Sequence, residues 1–410
     1  AYDDNITIKK ENGIIKKEGD PLRLVQEVLD DYRTEALHSL ESFVGGAVGH
    51  IGYDLIKNTH GVKNQNKDHI GTPDLHLLFP EEIIAYDHLR QKIKLIINLE
   101  PKDSLEKTYN HGLSRLETIQ KEISEDKTGH KGINIKKSNE INGISNESKE
   151  SFMAKVVKAK EYIEEKQISQ VVLSQRFSYQ TEIAPFEAYR KLRALNLSPY
   201  MYYIDFGTYH LVGSSPETLV KIDRGKVETC PIAGTRPRGR DEKEDEMLAR
   251  ELLEDEKEVK EHLMLVDLSK DDMRKISEEG TIEVEKLMEV QKYSHVMHLV
   301  SHVRARMKKG LKQYDIIKHC GPAGTVSGTP KLRALEIIEK LENERRGIYA
   351  GAVGYLSFDE NMDICITIRT IIFKDGMAYI QAGGGIVADS TPQGEYEESI
   401  RKARALVECI

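Results

Sequence analysis

Three consecutive glycines in an apolar stretch, followed by two glutamates three residues apart, constrain this chain more than any other feature. The glycines are Gly383, Gly384 and Gly385, and the glutamates are Glu395 and Glu398. Backbone amides that carry no side chains can converge on a carboxylate. Glutamates at i and i+3 lie on one face of a helix, where their oxygens can bind a hard cation. The stretch therefore predicts an acid-binding pocket beside a metal-binding face.

The composition is that of a globular chain with one large or two ordinary domains. Its 410 residues are 39% hydrophobic and 31% charged, with a formal charge of -8. The acidic balance argues against nucleic acid as a partner. No apolar run is long enough for a membrane span, and the first residues lack a signal-peptide pattern, so we expect a cytoplasmic chain with no membrane partner. The four cysteines are scattered and are predicted to be reduced structural thiols.

The pattern along the chain predicts three regions: a sheet-rich N-terminal region over 1–123, a polar linker or mobile loop over 124–148, and a second region over 149–410. The individual elements predicted are a hairpin turn at Asn12-Gly13, helices over Pro21 to Tyr32, from Ser104 and from Ser151 to about Lys166, and strands over Ile93 to Leu99 and from Val171.

The string Gly-Ala-Val-Gly occurs twice, at Gly46 to Gly49 and at Gly351 to Gly354. It is too short to establish a repeat. We interpret the two copies as similar, tightly packed strands in which glycine permits close backbone approach.

A second pair of glutamates at the i, i+3 spacing, Glu258 and Glu261, lies in the acidic stretch Asp241 to His262, which is predicted to be helical. The two glutamate pairs could meet around one Mg²⁺, which binds carboxylate oxygens and keeps several waters. The spacing alone nevertheless favours ordinary solvated helix charges over a metal site.

Three further features leave alternatives open. His298 is predicted on an apolar helix, where a core histidine is favoured over a proton carrier. Arg369 follows a run of β-branched residues and needs an anionic partner, either a protein carboxylate or a bound acid. The segment Gly321 to Lys331 lacks phosphate-loop spacing, and Thr329 is predicted to cap a helix that begins at Pro330.

Several longer motifs together resemble the chorismate-utilising enzymes, and most closely the branch that makes anthranilate. They are Pro231 to Gly239, Glu258 to Asp267, Tyr293 to His298, Pro322 to Lys331 and Gly385 to Glu398, and Gly45 to Asp54 resembles the family's N-terminal half. The resemblance implies an α/β (α+β) fold with two large, mainly antiparallel β-sheets packed face to face and helices on the outside. It makes 149–410 the chorismate-binding catalytic region.

The resemblance also implies a role for each site residue. Mg²⁺ would hold the ring carboxylate of chorismate, the glycines would contact the same part of the substrate, and Tyr349 and Arg369 would bind the enolpyruvyl carboxylate. Glu217 would be the acid and His298 the candidate base. The implied catalytic residues are His298, Glu217, Gln170 and Thr235, the substrate residues are Thr325, Tyr349, Arg369, Gly383, Gly384 and Gly385, and the metal residues are Glu261 and Glu398, with Glu258 and Glu395 acting partly through water.

The implied reaction is amination of chorismate at C2 by ammonia with loss of the C4 hydroxyl, then elimination of pyruvate to give anthranilate for tryptophan biosynthesis. Gln170 stands where the branches that use water carry a lysine, and Ala233 where covalent aminodeoxychorismate synthases carry a nucleophilic lysine. The alternatives are another chorismate-utilising synthase, of the aminodeoxychorismate, aminodeoxyisochorismate or isochorismate/salicylate type, or a non-catalytic chorismate-binding regulatory subunit.

The resemblance implies two further partners. No cysteine lies in a glutaminase nucleophile motif, so ammonia would come from a separate glutamine amidotransferase subunit in a hetero-oligomer. Pro199, Tyr200 and Met201 match half of the family's inhibitor site, which makes tryptophan a candidate feedback inhibitor. The family's first strands would precede Ala1, so we expect the N-terminal region to lack them.

Overall fold

The core is built from two large β-sheets with helices packed against them. The computed structural model describes residues 1–10, 13–34, 43–101, 104–125, 143–293 and 296–410. In chain order, the strands are β1 (Asn5–Lys10), β2 (Gly13–Glu18), β3 (Gly46–Ile51), β4 (Leu75–Leu78), β5 (Glu82–Asp87), β6 (Lys92–Ile97), β7 (Ile144–Ser145), β8 (Gln170–Gln180), β9 (Tyr200–Asp205), β10 (His210–Ser215), β11 (Thr218–Asp223), β12 (Lys226–Thr229), β13 (Ile232–Pro237), β14 (Glu283–Lys292), β15 (Val296–Arg306), β16 (Gly328–Thr329), β17 (Ala352–Ser357), β18 (Met362–Ile366), β19 (Thr370–Lys374) and β20 (Met377–Ile386). The helices are α1 (Pro21–Asp31), α2 (Tyr53–Asn58), α3 (Leu105–Glu125), α4 (Lys149–Glu164), α5 (Pro185–Leu195), α6 (Glu242–Glu254), α7 (Glu256–Ile276), α8 (Gln313–Cys320), α9 (Lys331–Leu341) and α10 (Pro392–Val407), and a single 3-10 turn covers Gly324–Val326.

The seven-stranded sheet carries the glycine run. Its order is β16-β8-β20-β19-β10-β9, and β7 pairs with β8. Nearly every residue of β8 is buried, because neighbouring elements cover both faces of this strand. Helices α4 and α10 pack against β20, and α5 packs against β10.

The nine-stranded sheet contains the repeated glycine string. Its order is β13-β15-β12-β11-β18-β17-β3-β4, and β14 pairs with β15. In the pairing of β3 with β17, Gly49 lies opposite Gly354. A Cβ atom on Gly49 would lie 2.1 Å from His76 O, and one on Gly354 would lie 2.1 Å from Asp363 O. The interpretation of the two copies as tightly packed strands is confirmed.

The two sheets pack together through buried side chains. Ile204, Leu211 and Ile372 of the seven-stranded sheet form one cluster with Val353 and Cys365 of the nine-stranded sheet. Every strand pairing within the two sheets is antiparallel. The predicted fold class is therefore confirmed.

The prediction of a helix around His298 is wrong, because this residue lies in β15. The segment from Val296 contains several β-branched valines, which suit a strand. Strands β12, β13 and β14 all pair with it, so tertiary contacts on both edges determine its conformation.

Three predicted helix boundaries are also wrong. Ser148, not Ser151, caps α4, because the Ser148 hydroxyl accepts the hydrogen bond of the Ser151 backbone N–H at 3.1 Å. The acidic stretch Asp241 to His262 divides into α6 and α7 at Asp255, whose carboxylate caps α7. Thr329 is paired with Gln170 in a strand, so α9 begins only after Pro330.

The N-terminal region contributes to a shared sheet. The predicted hairpin is present as β1 and β2, although Asn12 lies outside the described residues. Strands β3 and β4 belong to the nine-stranded sheet. Most of the predicted linker also lies outside the described residues, and the division near 148 stays a prediction. None of the described helices combines the length and apolar character required to cross a membrane.

Candidate active site

The glycine run of β20 lies between strand β8 and helix α10. A Cβ atom on Gly383 would lie 2.3 Å from Leu173 O, and one on Gly384 would lie 2.5 Å from Glu395 Oε2. On Gly385, a Cβ atom would lie 2.6 Å from Gln170 Nε2. A side chain at Gly383 would clash with backbone, and one at Gly384 or Gly385 would have to displace a polar side-chain end, so the run brings bare backbone against polar groups.

Helix α10 carries the first glutamate pair. The Thr391 hydroxyl caps its first turn. The Ser390 hydroxyl donates a hydrogen bond to Glu395 Oε1 at 2.7 Å, whereas the buried Glu395 Oε2 has no partner. Burial and the charge of Glu398 raise the pKa of Glu395. Burial acts to raise the pKa of Glu398 too, but the Lys402 ammonium, 2.6 Å away, outweighs it and lowers that pKa.

Helix α7 carries the second pair. Glu258 lies 3.7 Å from the Arg236 guanidinium, and Glu261 lies 3.8 Å from the Lys257 ammonium. Burial raises the pKa of Glu261, and the negative charges of Glu258 and Glu398 add to this effect. Because the charge of Glu398 on α10 raises the pKa of Glu261 on α7, the two carboxylates lie close enough to interact, and the two helices present their acids to a common space.

The donor set in that space fits a hard divalent cation. All four side chains offer carboxylate oxygens, and Glu395 Oε2 is buried without a partner. No three of these glutamates bring their carboxylate oxygens within 4.8 Å of one another. In the described part of the chain, a different group of residues is the only one that brings three ligand atoms that close together. The arrangement therefore fits an ion that takes some of its oxygens from water or a bound acid.

Glu217 is a buried acid at the start of the β11 strand. Its side chain lines a cleft of about 480 Å³, part of it open to solvent, together with Thr218, Thr325 and residues of α7. Burial raises the pKa of Glu217 to about 7, against the opposing effects of Thr325, Lys402 and Arg369. A carboxyl group with this pKa can donate a proton at neutral pH.

His298 faces the same region from β15. Its Nδ1 atom lies 2.9 Å from Gly234 O and 3.1 Å from Thr235 Oγ1. Because a carbonyl oxygen only accepts, Nδ1 carries the proton and Nε2 of the neutral ring keeps a lone pair. Burial lowers the pKa of His298, the Gly234 carbonyl opposes this, and the charge of Arg369 lowers it further. The ring is therefore a neutral base at pH 7.

The positive charge of Arg369 acts on both Glu217 and His298. It adopts a left-handed backbone conformation with a φ of 52°, uncommon outside glycine. Its guanidinium makes no hydrogen bond or ion pair with any of the described residues, although burial lowers its pKa and Tyr349, Glu398 and Glu217 are close enough to oppose that shift. An arginine in this state needs an anion, and the sequence-based choice between a protein carboxylate and a bound acid now favours the bound acid.

Other predicted residues border the same space. Gln170 Oε1 and Glu395 Oε2 are both buried, and neither has a hydrogen-bond partner among the described residues. Leaving such an atom unpaired costs about 1–3 kcal/mol, so a ligand that bonds to them is favoured. Tyr349 is buried, which raises its pKa to about 12 and keeps the phenol protonated.

Sequence reasoning missed Lys402, which the structure places beside the proposed acids. Its ammonium contacts Glu398 and donates to Gly383 O at 3.0 Å, and its charge also reaches Glu217 and Glu395. The i, i+4 spacing from Glu398 was the available signal.

The predicted inhibitor residues lie elsewhere in the sheet. Pro199 precedes β9, and Tyr200 and Met201 begin it. The Tyr200 hydroxyl donates to Asp363 Oδ1 at 2.8 Å and lies 2.8 Å from Thr218 Oγ1. These hydrogen bonds connect the strand to the rim of the Glu217 cleft, since Thr218 also lines it.

The chain matches known proteins along almost its whole length. The model of the chorismate binding enzyme family matches residues 3–408. Anthranilate synthase component 1 of Acetivibrio thermocellus is 48% identical over 100% of this chain and 84% of its own length. The protein of the same name from Aquifex aeolicus is 46% identical over 95% of this chain and 79% of its own length.

Solved structures give the same result. The crystal structure of anthranilate synthase component I from Streptococcus pneumoniae superposes with a TM-score of 0.86 at 39% identity, covering 98% of this chain and 89% of the other. The menaquinone-specific isochorismate synthase of Escherichia coli has the same fold, with a TM-score of 0.74 at 21% identity over 99% of this chain and 88% of the other. The chain therefore belongs to the family of chorismate binding enzymes.

Proposed function

We propose that the chain is component 1 of an anthranilate synthase, which converts chorismate and ammonia to anthranilate and pyruvate. The observation that carries the proposal is the unpaired Arg369 guanidinium, whose charge acts on Glu217, Glu398 and His298 together. A substrate with two carboxylates matches a site that offers the Arg369 guanidinium, which has no ion-pair partner in the described part of the chain, and a metal-binding face. Similarity to the relatives of that name supports this choice over other members of the family.

The two carboxylates of chorismate would be bound at opposite ends of the site. Arg369 and the Tyr349 hydroxyl would hold the enolpyruvyl carboxylate. The backbone of Gly383 to Gly385 would lie against the ring carboxylate, with Thr235 and Thr325 along the ring. Thr325 lines the same cleft as Glu217, which supports the last contact.

Glu261 and Glu398 would bind a Mg²⁺ ion directly, with Glu258 and Glu395 partly through water. The all-oxygen donor set and the unpaired Glu395 Oε2 support this assignment. When bound, Mg²⁺ would offset the negative charge of the substrate and of the clustered acids.

Glu217 and His298 would divide the proton transfers. Ammonia adds at C2 while the C4 hydroxyl departs, and the Glu217 carboxyl donates the proton that lets it leave as water. The ammonium group formed at C2 gives one proton back to solvent. His298 Nε2 then accepts the C2 proton while the C3–O bond breaks, and the released enolpyruvate takes up one proton to become pyruvate. The raised pKa of Glu217 and the lowered pKa of His298 support an acid and a base that are both ready at neutral pH.

Gln170 supports ammonia as the nucleophile. An amide cannot deprotonate water, and Ala233 offers no amine for a covalent intermediate. Gln170 Oε1, which has no partner among the described residues, can instead accept a hydrogen bond from ammonia.

The source of ammonia and the regulation of the enzyme follow from the same proposal. We expect a separate glutamine amidotransferase as the second component, consistent with the name component 1 of the relatives. Pro199, Tyr200 and Met201 would contribute to a tryptophan inhibitor site. The four free cysteines are compatible with a reducing cytoplasm.

The test uses the purified chain, chorismate, Mg²⁺ and a high concentration of an ammonium salt. We expect the fluorescence of anthranilate to appear, one pyruvate to form per anthranilate, and both to vanish when EDTA is added. Glutamine without the second component should give no product. Isochorismate or a stable aminated intermediate as the only product would refute the assignment and indicate another synthase of the family.

A further inference from the structure

A cysteine, a histidine and a glutamate converge on one face of the nine-stranded sheet. Among the described residues, only Glu228, Cys230 and His302 bring three ligand atoms within 4.8 Å of one another. Cys230 Sγ lies 3.4 Å from His302 Nδ1 and 3.5 Å from Glu228 Oε1. His302 Nδ1 lies 3.0 Å from Glu228 Oε1.

These separations match a tetrahedral metal site. Zinc binds sulfur at about 2.3 Å, and imidazole nitrogen or carboxylate oxygen at about 2.0–2.2 Å. Ligands at those lengths and at tetrahedral angles lie roughly 3.3–3.6 Å apart. The observed triangle, with edges of 3.4, 3.5 and 3.0 Å, therefore requires movements of only a few tenths of an ångström.

The ligands stand on rigid elements. Glu228 lies in β12 and is paired across the sheet with Arg304, while His302 lies two residues earlier in β15, on the same face. Cys230 lies one residue beyond the end of β12, and its Sγ reaches the same face, 3.5 Å from Glu228 Oε1. Arg304 Nε donates to Glu228 Oε2 at 2.9 Å, which orients the carboxylate and leaves Oε1 towards the cysteine and histidine.

We propose that Glu228, Cys230 and His302 form a binding site for a thiophilic divalent cation such as Zn²⁺ or Co²⁺, with water as the fourth ligand. The site is distinct in chemistry from the glutamates of α7 and α10, which offer only oxygen. On binding, the Cys230 thiol forms a metal–sulfur bond and releases its proton to solvent. The proposal does not depend on the proposed enzymatic function.

The test is a titration of the full chain with Co²⁺ in excess Mg²⁺, so that the oxygen-only site is occupied. We expect one equivalent of Co²⁺ to produce a sulfur-to-cobalt charge-transfer band and the visible spectrum of a tetrahedral ion. One equivalent of Zn²⁺ should remove both. The Cys230→Ser substitution should abolish the charge-transfer band. The His302→Gln substitution should lower the affinity for Co²⁺ at least about 10-fold.

Two variants serve as controls. Cys409→Ser changes a different thiol, a buried one that donates to Ala405 O at 3.3 Å, and should leave the band unchanged. Glu398→Gln removes a proposed magnesium ligand and should leave it unchanged too. Absence of the band in the parent chain, or its persistence in Cys230→Ser, would overturn the proposal. Circular dichroism on each variant separates loss of the site from loss of the fold.

Discussion

Glu395 Oε2 occupies the space that a side chain on Gly384 would need, 2.5 Å from the position of its Cβ. We predict that Gly384→Ala displaces this carboxylate and weakens the apparent affinity for Mg²⁺ about 10-fold, with a smaller effect on stability because a carboxylate end can rotate away. A Mg²⁺ titration of anthranilate formation measures the change.

The neighbouring Gly383→Ala is the matched comparison. Its Cβ would meet the backbone oxygen of Leu173 at 2.3 Å, which cannot move without disturbing the β8–β20 pairing. We expect this variant to lose stability, measured by urea denaturation, more than Gly384→Ala does. The reverse order would contradict the assignment of Gly384 to the metal face.

Neutralising single glutamates of α10 should distinguish a metal ligand from an ordinary charge on the helix surface. We predict that Glu398→Gln weakens the apparent affinity for Mg²⁺ by about 10- to 100-fold. The variant removes a proposed ligand and leaves the Lys402 ammonium without its carboxylate partner. The adjacent Glu397→Gln changes an exposed side chain on the same turn and should have little effect. Equal Mg²⁺ titrations for the two variants would exclude Glu398 as a ligand.

Loss of the Glu217 proton should cause the fall in activity on the alkaline side of the pH–activity profile, its alkaline limb. Its pKa is raised from 4.5 to about 7, so the fraction that can donate a proton falls as the pH rises through about 7. We predict that Glu217→Gln lowers kcat by about 100-fold or more, and that the residual activity lacks this limb. An unchanged alkaline limb in the variant would assign it to another group.

The same residue makes stability depend on pH. Because the folded pKa is higher than the unfolded one, the contribution of Glu217 to the free energy of unfolding is complete below pH 4.5 and is lost as the pH rises to about 7. The loss is on the order of 3 kcal/mol. Relative to the parent, Glu217→Gln should therefore become more stable between pH 5 and pH 8, measured by urea denaturation. A difference that does not vary with pH would refute the pKa shift.

His298 should produce the acid limb. Its pKa lies below the ordinary value of 6.5, so Nε2 becomes protonated, and can no longer accept a proton, only when the pH falls below 6.5. We predict that His298→Gln lowers kcat by about 100-fold and removes the limb. The exposed His319→Gln is the control and should keep the parent profile. Retention of the acid limb in His298→Gln would rule out this residue as the base.

Stability also depends on a buried ionic cluster around Lys57. Lys57 of α2 is fully buried against Asp54 and Glu339, and Glu339 also accepts the backbone N–H of Gln65 at 2.6 Å. We predict that Lys57→Met lowers the free energy of unfolding by about 3–5 kcal/mol, because it leaves buried carboxylates uncompensated. The exposed Lys63→Met should change it by less than about 1 kcal/mol, and a similar value for Lys57→Met would contradict the prediction.

Local patterns predicted much of the secondary structure and the residue types of the site. The helix face that carries Glu395 and Glu398 depends on neighbours within a few residues, so it could be predicted from the sequence. The strand around His298 could not, because three strands distant in sequence pair with it. For the same reason Thr329, paired with Gln170, is not a helix cap.

The sequence by itself determined which chemical groups were present: an oxygen-only donor set, a glycine run that admits a close ligand, and an arginine without a local anion. Only the tertiary structure decided how they act. It placed the Lys402 ammonium against Gly383 O, buried Glu217 so that its pKa rises, and set the Gly234 carbonyl against His298 Nδ1. Burial and hydrogen bonding between residues far apart in the chain control these properties, and no local pattern encodes them.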